Sequence, residues 1–335
     1  SLHRYGLKEQ SSMGVPILRL PVPENPRAQK LSYAASREIL QFLLEDLKKA
    51  EATLAQVKDQ NVKLPLHFGR IRLDFDGDGQ ATEEETLWRI YARVTRDRRT
   101  TQEAAEQFVI TLDAGDVHWL RGYCHVLMAV CEVTLAHDSR ELFDRTAHLF
   151  FAKPETPYPY LVDGRRVFQF GGDFDIADLI ALIHLINFPV TEPERMAAAH
   201  EHLLEVVAQS RKSWEAILAE TDDDHEWVPN PRQKGVIPNL QVTDEMVAAW
   251  HEFLDEAEAL LNGEKLIPFW RERDGRGVNL RRVFMEPERF DLVLWVQGTA
   301  ATPYLEEGTL TEPAFWLRLN RAFRGQFVGF AVWFN

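Results

Sequence analysis

Apolar residues recur along this chain at helical spacing far more often than they alternate. In residues 32–57, Ile39, Leu43, Leu47, Ala50, Leu54 and Val57 form one stripe, with Glu45, Asp46, Lys48 and Lys49 turned away from it, which predicts an amphipathic helix. Residues 83–96 carry Leu87, Tyr91 and Val94 on one side and predict another. Residues 114–137 are mostly apolar and predict a long helix central to the core. Thr191 and Glu194 stand three apart with Pro193 between them, a capping-box pattern for a long helix. Thr243, ahead of Asp244 and Glu245, opens a further helix that Gly263 is placed to end.

Alternation is rare. "KLIPFWRER" and "VNLRRVF" flank Asp274-Gly275-Arg276-Gly277 and read as a β-hairpin. "HFGRIRLDF" and "QFVITLD" are β-like runs that could pair with each other, and the closing "QFVGFAVWFN" is too apolar to be a free tail. The pattern as a whole predicts a mostly α, multi-helix single domain with a small β-hairpin. Residues 1–30, rich in Pro between 11 and 30, read as an extended N-terminal arm, and residues 31–335 as the helical domain. A soft boundary falls at 221–242, acidic and then Pro-rich, expected as a long surface loop.

Composition narrows the function more than the fold. A formal charge of −14 argues against nucleic acid, because phosphate binding needs a basic face, and favours cations. No apolar run approaches a membrane span. Cys124 and Cys131 lie seven apart on one predicted helix, roughly 10 Å along its axis, too far for a mutual disulfide, so both read as buried thiols. The chain opens on Ser1 rather than Met, and with the Pro-rich stretch this suits an exported protein, periplasmic or extracellular, whose mature part begins with a tether.

The sharpest chemistry is "DFDGDGQATEEE" at residues 74–85. Three aspartates at alternate positions repel one another unless a cation gathers them. An acidic helix cap accounts for Thr82 with Glu85 three later, but not for the aspartates. Asp74, Asp76, Asp78, Gly79 and Glu85 fill the pattern D-x-D-x-D-G-x5-E, and the run resembles the calcium loop of the EF-hand family. The resemblance implies side-chain oxygens from Asp74, Asp76 and Asp78 and the backbone carbonyl of Gln80. It also implies Thr82 directly or through water, and both oxygens of Glu85. It covers the loop and exiting helix only. No second such run exists, Ala81 stands where a branched apolar residue is usual, and the entering segment is β-like. A single structural ion is therefore expected, fixing the exiting helix with Trp88 and Tyr91.

Elsewhere the expectations are structural. His118, His125 and Glu132 share a helix face at seven-residue spacing and read as polar groups satisfied at a helix contact. Asp173, Asp175 and Asp178 read as a helix N-terminus, and "ETDDDHE" at 220–226 as a solvated acidic loop. Trp270, Arg271, Arg273, Arg276, Arg281 and Arg282 make a locally basic patch on the hairpin, either surface arginines or a docking site for an anionic partner. No nucleophile elbow, P-loop, dinucleotide fingerprint or H-E-x-x-H is present. The expected function is a calcium-stabilised, non-enzymatic binding or scaffold protein. The alternatives are an enzyme of unknown chemistry with structural calcium and a His/Asp-lined cleft, or a calcium sensor that exposes an apolar groove.

Overall fold

The computed structural model describes residues 3–8, 25–74, 77, 79–89, 92, 101–163, 176–236, 241–271 and 275–333. The chain is mostly helical. It runs through α1 (Tyr33–Leu54), β1 (Leu64–His67), α2 (Gln102–Gln107), β2 (Val109–Leu112), α3 (Ala114–Ala136) and α4 (Arg140–Phe150). α5 (Pro159–Asp163), α6 (Ile176–Leu185), β3 (Asn187–Phe188), α7 (Pro193–Ala219) and α8 (Asp244–Leu261) follow. The last stretch holds β4 (Ile267–Pro268), β5 (Arg276–Val278), α9 (Leu280–Met285), β6 (Phe290–Asp291) and α10 (Leu292–Gln297). It closes with β7 (Leu305–Glu307), α11 (Pro313–Ala322) and α12 (Phe327–Trp333). Sheets are small: β1 with β2, β3 with β6, and β5 between β4 and β7. No helix among the described residues is long and apolar enough to cross a membrane.

Internal contacts gather into two compact units, Ser1–Ile39 with Pro65–Ile110 and Ser139–Ile186, and Leu40–Leu64 with Thr111–Asp138 and Asn187–Asn335. In the first, the described ends of the N-terminal stretch are tied down: Leu7 bridges Phe151 and Leu31 bridges Pro154. The Tyr33 hydroxyl accepts the Ser139 N–H at 2.9 Å, and the Arg140 guanidinium lies 4.6 Å from the Tyr33 ring centroid. That unit also carries the 74–85 loop.

In the second unit α3 and α7 pack antiparallel. His118 meets Gln209, His125 meets His202 and Glu132 meets Arg195, so the position rises on one helix as it falls on the other. Trp214, Trp250, Leu254, Phe323 and Phe330 fill a core that α7, α8, α11 and α12 close over. Of the apolar C-terminal stretch, Phe330 is buried and Phe327 and Ala331 pack against the same core, while Val328 is exposed and residues 334–335 lie outside the described residues. Thr243 caps α8 by accepting the Met246 N–H at 3.2 Å, and Gly263 ends it at φ +73°.

Several expectations are corrected. On α1 the buried stripe runs through Leu40, Leu44, Leu47 and Leu54 against Cys124, Met128, Cys131 and Leu135. Leu43 is left exposed, because one residue is a 100° turn and Leu44 takes the inward direction. Both cysteines are free and buried, as expected. Thr191 does not cap α7: its hydroxyl donates to the Ala136 carbonyl at 3.3 Å, and Glu192 occupies the cap with Pro193 behind it. The hairpin forms as Ile267 opposite Val278 and Pro268 opposite Gly277. Its second strand ends there, however, since Asn279 accepts the Arg282 N–H at 3.2 Å and turns "LRRVFM" into α9. Of the two β-like runs, "QFVITLD" holds β2, but its partner β1 is "LPLH", just ahead of the other run: of "HFGRIRLDF" only His67 is in the strand, and Phe68–Arg70 is a 3-10 turn.

Candidate metal centres

The acidic loop is held at both ends before any ion is considered. Leu73 N–H donates to the Glu85 carbonyl at 3.2 Å and Leu87 N–H to the Ile71 carbonyl at 2.9 Å, so the entering and leaving strands are stitched together. Inside the loop, Asp74 uses both carboxylate oxygens: Oδ1 accepts the Gly77 N–H at 2.7 Å and Oδ2 the Gly79 N–H at 2.9 Å. Gly77 and Gly79 have φ of +75° and +89°, a turn that side-chain-bearing residues resist. At the exit, Glu85 Oε2 accepts both the backbone N–H and the hydroxyl of Thr82, each at 2.8 Å. Glu83–Glu85 is a 3-10 turn, and helical structure resumes at residues 87–89 and 92.

Three of the five expected ligand side chains are thus placed: Asp74 at the start, Thr82 and Glu85 at the exit. Gln80 is described and exposed, while Asp76 and Asp78 lie outside the described residues, as do Tyr91 and Val94. The side chains described, Asp74, Thr82 and Glu85, carry hard oxygen donors of the kind calcium takes.

A second acidic group was not foreseen. Asp113, Glu220 and Glu226 each offer a carboxylate oxygen, all within 4.8 Å of one another. The segment 220–226, expected to be solvated, is not so at its ends: Glu226 is 4% exposed and Glu220 is half-buried, while Thr221, Asp222, Asp223 and His225 are exposed. The cause is backbone pairing. Thr111 N–H donates to the His225 carbonyl at 3.2 Å and Val236 N–H to the Glu226 carbonyl at 2.9 Å, which draws the segment against the start of α3. There Asp113 caps the helix, accepting from Gly115 N–H at 2.7 Å, while Asp116 Oδ2 accepts the Asp113 N–H at 3.0 Å.

So many carboxyls in one place cannot all ionise. Burial, then the Asp113 charge, pushes Asp116 up to about 7. The same two causes hold Glu220 well above the ordinary range. Burial also raises Glu226. Raised in this way, Asp116, Glu220 and Glu226 hold protons more readily than free carboxyls, which lessens the repulsion among them. Lys63 balances only the exposed margin, at 2.7 Å from Asp222 and 3.5 Å from Asp224.

The histidine face is a packed helix contact, as its spacing implied. His118 Nδ1 lies 2.9 Å from Gln209 Oε1 and His125 Nδ1 lies 3.0 Å from His202 Nδ1. Glu132 takes Arg195 at 2.7 Å. Burial lowers both His125 and His202, so the pair is neutral around pH 7. Asp173 and Asp175 lie outside the described residues; Asp178 falls within α6 rather than ahead of it, and His184 is in its last turn. On the hairpin, Arg282 is committed to Glu286 at 2.6 Å and Glu306 at 3.2 Å, and Arg281 and Arg282 sit on α9 rather than on a strand. Arg271 and Trp270 are exposed, and Arg273 lies outside the described residues.

Comparison with protein families, curated proteins and solved structures finds no match for this chain. The chemistry of these sites has to stand by itself. No signal in the sequence joins Asp113 to Glu220 and Glu226, because their meeting depends on α7 returning along α3.

Proposed function

We propose that the chain is a calcium-binding protein of the binding or scaffold kind, stabilised by one ion in the loop at residues 74–85. Asp74, Asp76 and Asp78 supply side-chain oxygens, Gln80 its carbonyl, Thr82 a direct or water-borne contact, and Glu85 closes the shell. The observation that carries the reading is Asp74, whose two oxygens take the N–H groups of Gly77 and Gly79 and so curl the loop around its own first carboxylate. Such a loop spends little ordering entropy when an ion enters.

The ion relieves the repulsion of the aspartates and locks the stitched exit at Glu85 and Leu87. By mass action it adds about 2.7 kcal/mol of stability at a hundredfold excess over Kd. An exported setting suits it, because extracellular calcium modules work at Kd of about 10⁻⁴–10⁻³ M. The exposed Trp270 and Arg271 offer an anionic partner a stacking surface and a cation.

Calorimetric titration with calcium, paired with thermal melts, tests the reading on metal-stripped protein and on Glu85→Gln. Binding near one equivalent with a raised melting temperature, both lost in the variant, is expected. Gln retains the acceptor that Thr82 uses, so the two proteins should melt alike in EDTA. No heat and no shift in the native protein would reduce the run to a helix cap and end the proposal.

A further inference from the structure

Between α8 and α11 the second unit carries a cleft of about 190 Å³. Its floor is small, Ala248 and Ala249 on α8, and its wall is the Phe315 and Leu319 side of α11. Charges stand at the rim: Glu245 and Glu252 on α8, Arg318 on α11. Of the other acids of α8, Asp255 and Glu258 are engaged by Arg211 at 2.8 and 2.7 Å and Glu256 by Lys265 at 2.5 Å, while Asp244 stands at the start of the helix. Among the described residues, no ion pair or hydrogen bond engages Glu245, Glu252 or Arg318.

We propose that this cleft docks a basic amphipathic helix of a protein partner. Size argues against a small molecule, since pockets that enclose drug-sized ligands run roughly 300–1,000 Å³. It is room for apolar side chains reaching in from outside. Glu245 and Glu252 are seven residues apart on one face, about 10 Å along the axis, and so match two cations one heptad apart on a helix lying alongside. Between them the alanine floor lets a partner backbone come close and receives the apolar residues three and four positions after the first cation. Arg318 on the opposite wall repels a cation there and pairs with an acid, which sets the direction of the docked helix. A chain of net charge −14 also draws such a partner in from a distance.

The probe is a fluorescein-labelled synthetic helix with Lys at i and i+7 and Leu at i+3 and i+4, followed by anisotropy against the whole protein in EDTA. A second peptide carries Glu in place of Lys. Expected is saturable binding of the Lys peptide only, weakened at least about tenfold by Glu245→Lys with Glu252→Lys. Ala248→Trp should abolish it without any change of charge. Glu38→Lys with Glu215→Lys makes the same charge change on exposed residues elsewhere and should leave affinity within about twofold. Equal weakening by that control would reduce the effect to bulk charge and overturn the proposal. Equal binding of the Glu peptide would do the same. So would light scattering that shows a dimer split by Ala248→Trp, which would make the cleft an interface between copies. Thermal melts confirm that each variant is folded.

Discussion

Replacing Asp116 by Asn removes an ionisable group from the buried end of α3 while keeping its shape. In the wild type the side chain is 6% exposed, accepts the Asp113 N–H at 3.0 Å, and titrates near 7 instead of 3.8. A folded-state value raised above the unfolded one means that the folded protein holds a proton the unfolded chain releases. Its stabilising effect is whole below pH 3.8 and is lost as pH rises towards 7, with no further loss above. Roughly three units at 1.36 kcal/mol each make the loss about 4 kcal/mol at most. Asn is neutral throughout and its carbonyl still accepts from Asp113, so the variant should match the wild type near pH 4. It should exceed the wild type by up to about 4 kcal/mol at pH 8. Urea unfolding midpoints from pH 4 to 9, in EDTA to exclude metal, measure this. Glu220 and Glu226 titrate in both proteins, so the difference between the two curves reports Asp116 together with its coupling to them. Parallel curves would mean that Asp116 is ionised in the folded state, and the argument from burial would fail.

The His125–His202 pair runs the other way: burial lowers both, so its stabilising contribution is present above pH 6.5 and is lost as pH falls below that value. Glu51 from α1, Arg121 and Glu132 from α3 and Glu205 from α7 surround it. His202→Gln should lessen the destabilisation between pH 7.5 and 5.5 relative to the wild type, and an unchanged difference in urea midpoint would count against it. Gly69→Ala would put a Cβ 2.3 Å from the backbone carbonyl of Ala105, and should cost about 1–3 kcal/mol in chemical denaturation unless α2 gives way.

How much was legible follows from which contacts are local. Helices α1, α3, α7 and α8 are written in periodicity, and the Thr243 cap, the Gly263 stop and the Thr82–Glu85 pair bind residues only a turn apart. Asp74 also binds near neighbours, Gly77 and Gly79, contacts that are local in the sequence. Thr191 had an equally good local pattern and went elsewhere, because the Ala136 carbonyl at the end of α3 competes for its hydroxyl. Leu43 lost its place to Leu44 because one turn of the stripe can be read in two phases until a partner surface picks one.

The sequence by itself determined the long helices α1, α3, α7 and α8, the Thr243 cap and the polar face of α3, since each rests on residues three, four or seven apart. Only the tertiary structure decided that Asp113 and Glu220, half-buried, meet the buried Asp116 and Glu226. Antiparallel packing of α3 on α7 brings the end of one helix to the start of the other, and the strand-like pairing of Thr111 with His225 carries Glu226 inward. The same is true of the cleft, for Glu245 and Glu252 are ordinary surface acids until α11 is laid beside them. Charge and burial are properties of a place, and the place is made by segments that meet only in the fold.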